Sequence, residues 1–567
     1  MPHFPRTAAV QTRKLVWALV CVLWGAPQIA RANWPGSPAT NVPVCTAPGA
    51  AGFRNAVSDG VGGLLVAWTD TRSDSADIYV QRMTGGGVAA WATNGVLACG
   101  ALSDQDQASV ASDGSGGAIV AWRDLRDGPT GDLYAQHVTA SGSIAWAQNG
   151  VKVCGAPNEQ ANPVLVPDGF GGAVIIWEDN RSGVAIYAQR LRADGRPMWA
   201  ADGVRLSNDT SPQFEPTACS DGFGGAIVGW AQQSASGYDV VAQGVDIQGG
   251  KRWGVAGVAV CTAAGNQVHA QLVSDNAGGA VICWEDYRSG TADIYAQRLN
   301  LYGLTYFNAN GTPACTVTGD QRWPQLATDG ASGAIMTWQD ERAGEGDLYA
   351  QRWSGSSGAR LWSVAGEIVC NAPGPQQFAS ITRDGNGGAI ITWEDGRNGP
   401  SDIFAQRLSP LGARQWGTGG LLVSSAPGSQ YQPVVAPDED SVVVIVWTDQ
   451  RTGGSDLYAQ GIPFAITLDA PAGTPQGRAL SAVPEPLSER TELRFKLPRA
   501  GRVELLIHDA AGRRVRTLVR GSSASGPQHV TWDGRDDQGV AQPGGVYFAR
   551  ILLDGGAWAG RTLRLVR

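Results

Sequence analysis

The chain has 567 residues, more than one hydrophobic core normally serves, so it requires several domains or a repeat array. Its 77 glycines, 31 prolines and 17% charged content favour short strands joined by tight turns and exclude a long-helix architecture. Residues 33–483 carry 25 basic against 42 acidic side chains, a net of −17, which excludes nucleic acid and repels anionic polysaccharides and membranes; residues 484–567 carry 14 against 9.

The N-terminus places Arg6, Arg13 and Lys14 before an apolar run from Leu15 to Ala26, followed by Ala30-Arg31-Ala32. That is the order of a secretory signal peptide over 1–32, and a run of about a dozen apolar residues is too short to span a bilayer. Cys21 follows the bulky Val20, unlike a lipoprotein signal. The mature chain is expected to begin near Asn33 and to be secreted or held on the outer cell surface.

From there to residue 463 one unit recurs eight times. Its copies share a glutamine, at Gln81, Gln136, Gln189, Gln243, Gln297, Gln351, Gln406 and Gln460, which sets a period of 53 to 55 residues. Each unit parses into four strands. The first ends at an Asp-led, glycine-rich turn, with Asp59, Asp113, Asp168, Asp221, Asp275, Asp329, Asp384 and Asp438 in the lead position. The second is an unbroken apolar run such as Ala173-Val174-Ile175-Ile176-Trp177, which implies burial on both faces. The third, such as Asp293 to Leu299, restores alternation, and the fourth carries a Trp eight residues before a Cys, as in Trp146 and Cys154.

Four short strands at this period predict the blade of a β-propeller. The eighth copy lacks a fourth strand, whereas Val42 to Cys45 is a fourth strand without a blade. The fold predicted is therefore all-β: an eight-bladed propeller over 33–463 whose N-terminal strand completes the last blade and removes an open edge.

Between the second and third strands most units carry a Trp-x-Asp-x-Arg corner and a second Asp. The complete sets are Asp70, Arg72 and Asp77; Asp124, Arg126 and Asp132; Asp286, Arg288 and Asp293; Asp340, Arg342 and Asp347; Asp395, Arg397 and Asp402; and Asp449, Arg451 and Asp456. Six repetitions suit a structural tie, in which the Arg forks between two carboxylates, better than a catalytic group needed once. The third unit has Ala185 in place of the second Asp, and the fourth has Ala231-Gln232-Gln233-Ser234 throughout. The tryptophans ending the second strands, Trp68 to Trp447, read as core rather than as sugar-stacking platforms.

Six cysteines, Cys45, Cys99, Cys154, Cys261, Cys315 and Cys370, occupy one repeat position, with Ser207 and Ser424 in the other two copies. Equivalent positions on neighbouring blades stand beyond the roughly 7 Å reach of a disulfide, so buried free thiols are expected. Cys219 and Cys283 are the remaining candidate pair.

Residues 464–483 read as a linker, and 484–567 as a small β-sandwich with alternating strands at 491–497, 502–508 and 546–551. The stretches Ile507 to Leu518, His529-Val530-Thr531-Trp532-Asp533-Gly534 and Pro543-Gly544-Gly545-Val546-Tyr547-Phe548 carry a resemblance. They resemble the immunoglobulin-like domain of flagellar hook-capping proteins, and similar domains end many exported bacterial proteins, some of them as sorting or surface-attachment modules. The repeats resemble those of uncharacterised exported bacterial β-propeller proteins, and only loosely those of sialidase-type propellers.

No histidine, cysteine and carboxylate spacing suggests zinc, and no nucleophile elbow or phosphate loop is present. No cofactor is expected; the Asp-led turns admit a calcium reading, but each offers one carboxylate, which suits a plain turn better. The expectation is a non-enzymatic exported binding or adhesion scaffold for a protein or glycan, without a membrane span, whose C-terminal module engages secretion or attachment machinery. The alternative is a glycan-active hydrolase or lyase on the same ring.

Overall fold

A computed structural model describes residues 34, 38–49, 51–73, 75–437, 442–464, 481–483, 490–497, 500–509, 514–553 and 556–565. The signal peptide expected over 1–32 and its boundary near Asn33, the turn residue Asp438 and most of the expected linker 464–483 lie outside them. The described residues contain strands and no helix, and they divide into two units, within 1–467 and within 468–567.

The first unit is eight four-stranded antiparallel sheets. One blade runs through Gln267–Ser274, Ala280–Asp286, Asp293–Leu299 and Thr312–Cys315, in that order from the axis outward. The innermost strands of successive blades are neighbours all the way round, and the ring closes between Gln430–Pro437 of the last blade and Ala51–Ser58 of the first. As the complementary ends predict, Val42–Cys45 adds to the eighth blade, with Val42 opposite Ala459 and Cys45 opposite Leu457. Trp34 reinforces the join by donating its indole N–H to the Gly85 carbonyl at 2.9 Å, as Trp91 does to Ala140 in the next blade.

The cores lie between adjacent sheets. One combines Ile227, Val240 and Ala242 with Leu272, Ile282 and Trp284 of the following blade. Second strands are buried on both faces, which accounts for their unbroken apolar runs. Their tryptophans are fully buried, and glycines of the outer turns fit against them; a Cβ at Gly311, whose φ is 81°, would come within 2.4 Å of the Trp284 ring.

The shared glutamine explains its own recurrence. In the fifth blade buried Gln297 donates to the Asn308 carbonyl and accepts from the backbone N–H groups of Arg298 and Phe307, fastening the third strand to the next turn. The turn aspartates act similarly. Asp275 accepts from the N–H groups of Ala277 and Gly279 and pairs with Arg298 at 2.7 Å.

The second unit packs a three-stranded sheet, Ser481–Val483, Thr491–Leu497 and Gly526–Trp532, with a four-stranded one, Arg514–Ser523, Gly501–Asp509, Gly545–Leu553 and Gly556–Leu565. Leu493, Phe495, Leu505, Ile507, Trp532, Tyr547 and Leu563 form its core. This is the β-sandwich anticipated from the alternation of its strands.

Candidate functional site

The corner residues come together in a different way from the fork expected of them. Arg288 donates Nε to Asp286 Oδ1 at 2.8 Å and Nη2 to Oδ2 at 2.5 Å, while the Trp284 indole donates to the same Oδ2. Its guanidinium also meets Cys261 Sγ of the preceding blade at 3.1 Å and the Asn310 carbonyl, and it lies 4.0 Å from the Tyr295 ring centre. The fork thus closes on one carboxylate and ties neighbouring blades, because an Arg two residues past Asp286 folds straight back onto it. Asp293 stands across the hairpin from Asp286 and accepts from Ser289 Oγ.

The same closure joins Arg72 to Asp70, Arg126 to Asp124, Arg342 to Asp340, Arg397 to Asp395 and Arg451 to Asp449, and it extends to Arg181 and Asp179 of the third blade. The second acids find local partners: Asp77 with Ser73, Asp132 with Lys152, Asp402 with Asn398 and Asp456 with Thr452. Burial pushes the carboxyls of Asp77, Asp293, Asp347 and Asp402 above the usual range.

This contact across blades also explains the two serines in the cysteine row. Ser207 precedes the fourth blade, which has no corner Arg, and bonds instead to the Ala256 carbonyl. Ser424 precedes the eighth blade, where Asn41 accepts from both Ser424 Oγ and Arg451 Nη2. All eight described cysteines are free, including Cys219 and Cys283. Burial raises the thiols of Cys45, Cys315 and Cys370 and pushes Cys99 and Cys154 up to about 12.

Neither departure singled out in the corners assembles a site. Ala185 is fully buried, and Ala231 to Ser234 lengthen a plain hairpin against Gly237–Val245.

A different set of residues converges on the axis. Among the described residues, the innermost strands of seven blades bulge near their start and hold a non-glycine residue at positive φ: Gln107 (55°), Asn162 (53°), Glu215 (56°), His269 (53°), Trp323 (55°), Phe378 (51°) and Gln432 (55°). Bulky side chains rarely adopt this conformation, and each instance costs about 1–3 kcal/mol. These positions lie one period apart, yet their chemistry differs in almost every blade.

Acceptors from the preceding blade hold the bulged backbone. Gln107 Oε1 accepts the N–H of Asn162 at 2.6 Å, Glu178 that of Glu215 at 2.8 Å, and Glu215 that of His269 at 2.9 Å. Glu285 accepts the N–H of Trp323 and Glu394 that of Gln432, both at 2.6 Å. For Glu178, Glu285 and Glu394, which lie on second strands, alternation makes this arrangement. Within Trp284-Glu285-Asp286, Trp and Asp turn toward the preceding blade and Glu toward the following one.

His269 is the most enclosed member by charge. Its Nδ1 lies 3.1 Å from Glu285 Oε1 and its Nε2 3.7 Å from Glu215 Oε1, and its ring centre is 4.4 Å from that of Trp323. The Glu285 carboxylate beside it raises its pKa above the ordinary histidine value. Burial raises the carboxyls of Glu178 and Glu394.

Two cavities open on this ring. One of about 420 Å³ is lined by Asn55, Gln107, Asn162, Glu178 and Glu215, and another of about 450 Å³ by Asn55, Trp323, Phe378 and Gln432. They share Asn55 and draw on first strands from opposite sides of the ring, so the candidate site surrounds the axis at the corner end of the innermost strands. Aromatic rings, amides and carboxylates around one opening suit a polar ligand with apolar faces.

Residues 486–551 match the family model of the FlgD Ig-like domain, which agrees with the hook-capping resemblance. No curated protein matches the chain. Solved structures similar to it include an ulvan lyase of polysaccharide lyase family PL25 (13% identity, 62% of this chain and 90% of that one, TM-score 0.39). Others are an α-L-arabinanase from Penicillium chrysogenum (11%, 54% and 93%, TM-score 0.33) and PorZ, a surface component of the type-IX secretion system of Porphyromonas gingivalis (12%, 91% and 70%, TM-score 0.32).

The expectation of a non-enzymatic chain is corrected by these neighbours, which include a lyase and glycan hydrolases. Their likeness assigns no catalytic residue here. Spacing along the chain does not reveal such a cluster, because the ring gathers side chains that lie a whole repeat apart in sequence. Among the described residues, no helix is long and apolar enough to cross a membrane.

Proposed function

We propose that this is an exported cell-surface protein whose propeller binds a glycan at the axial ring, with the immunoglobulin-like module serving sorting, anchoring or assembly. One observation carries the reading: seven bulged residues, held at the same costly backbone conformation, vary in chemistry while the surrounding blade repeats. Architecture that repeats beneath side chains that do not is how a symmetric scaffold builds an asymmetric ligand site. A second reading, in which the bound glycan is also cleaved, is favoured by the placement of His269 between Glu215 and Glu285.

The test is a glycan-array screen of the mature chain, repeated with Glu215→Gln and Trp323→Ala. Glycan capture that both substitutions weaken supports the reading, and capture indifferent to both refutes the axial location. Chromatography of captured glycans after incubation separates retention from cleavage.

A further inference from the structure

We infer that the arc of the ring from Trp323 to Gln432 is a stacking subsite for an uncharged pyranose unit of an oligosaccharide. The inference rests on the glycan reading above and names the chemistry of one part of that site.

Trp323 and Phe378 are 50% and 57% exposed, in a unit whose eight second-strand tryptophans are fully buried. They come from adjacent blades and line one cavity of about 450 Å³. The apolar face of a pyranose covers such rings, and its equatorial hydroxyls need donors and acceptors at the edge. Asn55, Gln325, Ser380 and Gln432 line the same cavity and supply amide and hydroxyl groups.

Among the described residues this lining contains no charged side chain, which sets the class of ligand. A uronate or sulfated sugar would find no cation among the described residues of this lining, within a body of net charge −17. An ammonium group would find no carboxylate among these linings, in contrast to the other cavity, where Glu178 and Glu215 stand.

The platform is built in advance. The backbone N–H of Trp323 donates to Glu285, which is almost completely buried, and the His269 ring packs on the indole from the side away from Phe378 in the blade order. Gln432 is held likewise by Glu394. Holding this backbone, and the indole against His269, before binding lowers the ordering cost that a mobile aromatic would carry.

The experiment titrates the mature protein with cellohexaose (neutral), fully deacetylated chitohexaose (cationic) and hexagalacturonate (anionic), reading tryptophan fluorescence and heat. The neutral probe is expected to bind, with at least tenfold weaker affinity in Trp323→Ala and Phe378→Ala, near-normal affinity in Trp323→Phe, and an unchanged melting temperature in all three. Phe170→Ala, at the other end of the innermost strands, should leave affinity unchanged. Preference for either charged probe overturns the inference about ligand class. Neutral binding that survives both alanine variants overturns the subsite and leaves the glycan reading standing. Failure of all three probes, together with an empty glycan array, overturns both.

Discussion

Adjacent residues of one strand have opposite fates in this ring. Asp286 faces the preceding blade and joins Arg288 and Cys261, in a tie repeated with little change around the propeller. Glu285 faces the following blade and holds Trp323, whose equivalents are Gln107, Asn162, Glu215, His269, Phe378 and Gln432. A side chain that serves the joint between blades is constrained by every copy of that joint. A side chain that borders the axis lies outside that repeated joint, and there the blades differ.

The largest effect that tests this contrast is expected from Asp286→Ala. It strands the Arg288 guanidinium and the Trp284 indole N–H in a buried joint, and should cost about 3 kcal/mol of propeller stability in urea unfolding while leaving ligand affinity of the folded protein unchanged. A stability loss below about 1 kcal/mol would mean that the joint is merely a surface pair.

Glu285→Gln should do the reverse. The amide oxygen still accepts the Trp323 N–H, so stability should fall by only about 1 kcal/mol, but the charge beside His269 disappears. Ligand affinity should then fall more than stability does. Equal losses would place Glu285 with the joint residues instead of the ring.

Protonation of His269 gives a third, smaller handle. Its folded pKa is raised by Glu285 first and Glu215 next, and is opposed by burial and by Arg322. The ion pair's contribution to stability is therefore fully present below the ordinary histidine pKa of roughly 6.5 and is lost as pH rises through the raised folded value. An NMR titration should place the His269 transition above that value in the native protein and lower in Glu285→Gln. Identical transitions in the two proteins would contradict the coupling.

The smallest effect belongs to the thiols. Serine already stands at Ser207 and Ser424, so Cys261→Ser should shift stability by no more than about 1 kcal/mol. Reductant should leave the melting temperature unchanged, since every described cysteine is free.

The architecture was readable because its determinants are local and repeated. The Asp-led turns, the buried runs ending in Trp and the shared Gln each declare one strand, and the missing fourth strand of the last blade pointed to Val42–Cys45. The corner was half readable. Asp286 and Arg288 were found, but Cys261 lies 27 residues from Arg288 in the preceding blade, and nothing in the local pattern links thiol to guanidinium. Only the coincidence of Ser207 with a blade lacking the corner Arg carried that signal.

The ring is not declared by any repeated residue. Its residues differ from one another, and their facing depends on a bulge that shifts the period-2 alternation by one position. One cue was available: Asn162, Glu215, Trp323 and Gln432 each precede a proline at the same point of the repeat.

The most direct measurement is hydroxyl-radical footprinting of the mature protein with and without a glycan identified on the array. Binding at the axis predicts protection of Trp323 and Phe378, with Phe170 and Phe223, exposed at the Asp-led turns of the other end, modified as before. Protection of Phe170 and Phe223 with Trp323 and Phe378 unchanged would contradict it.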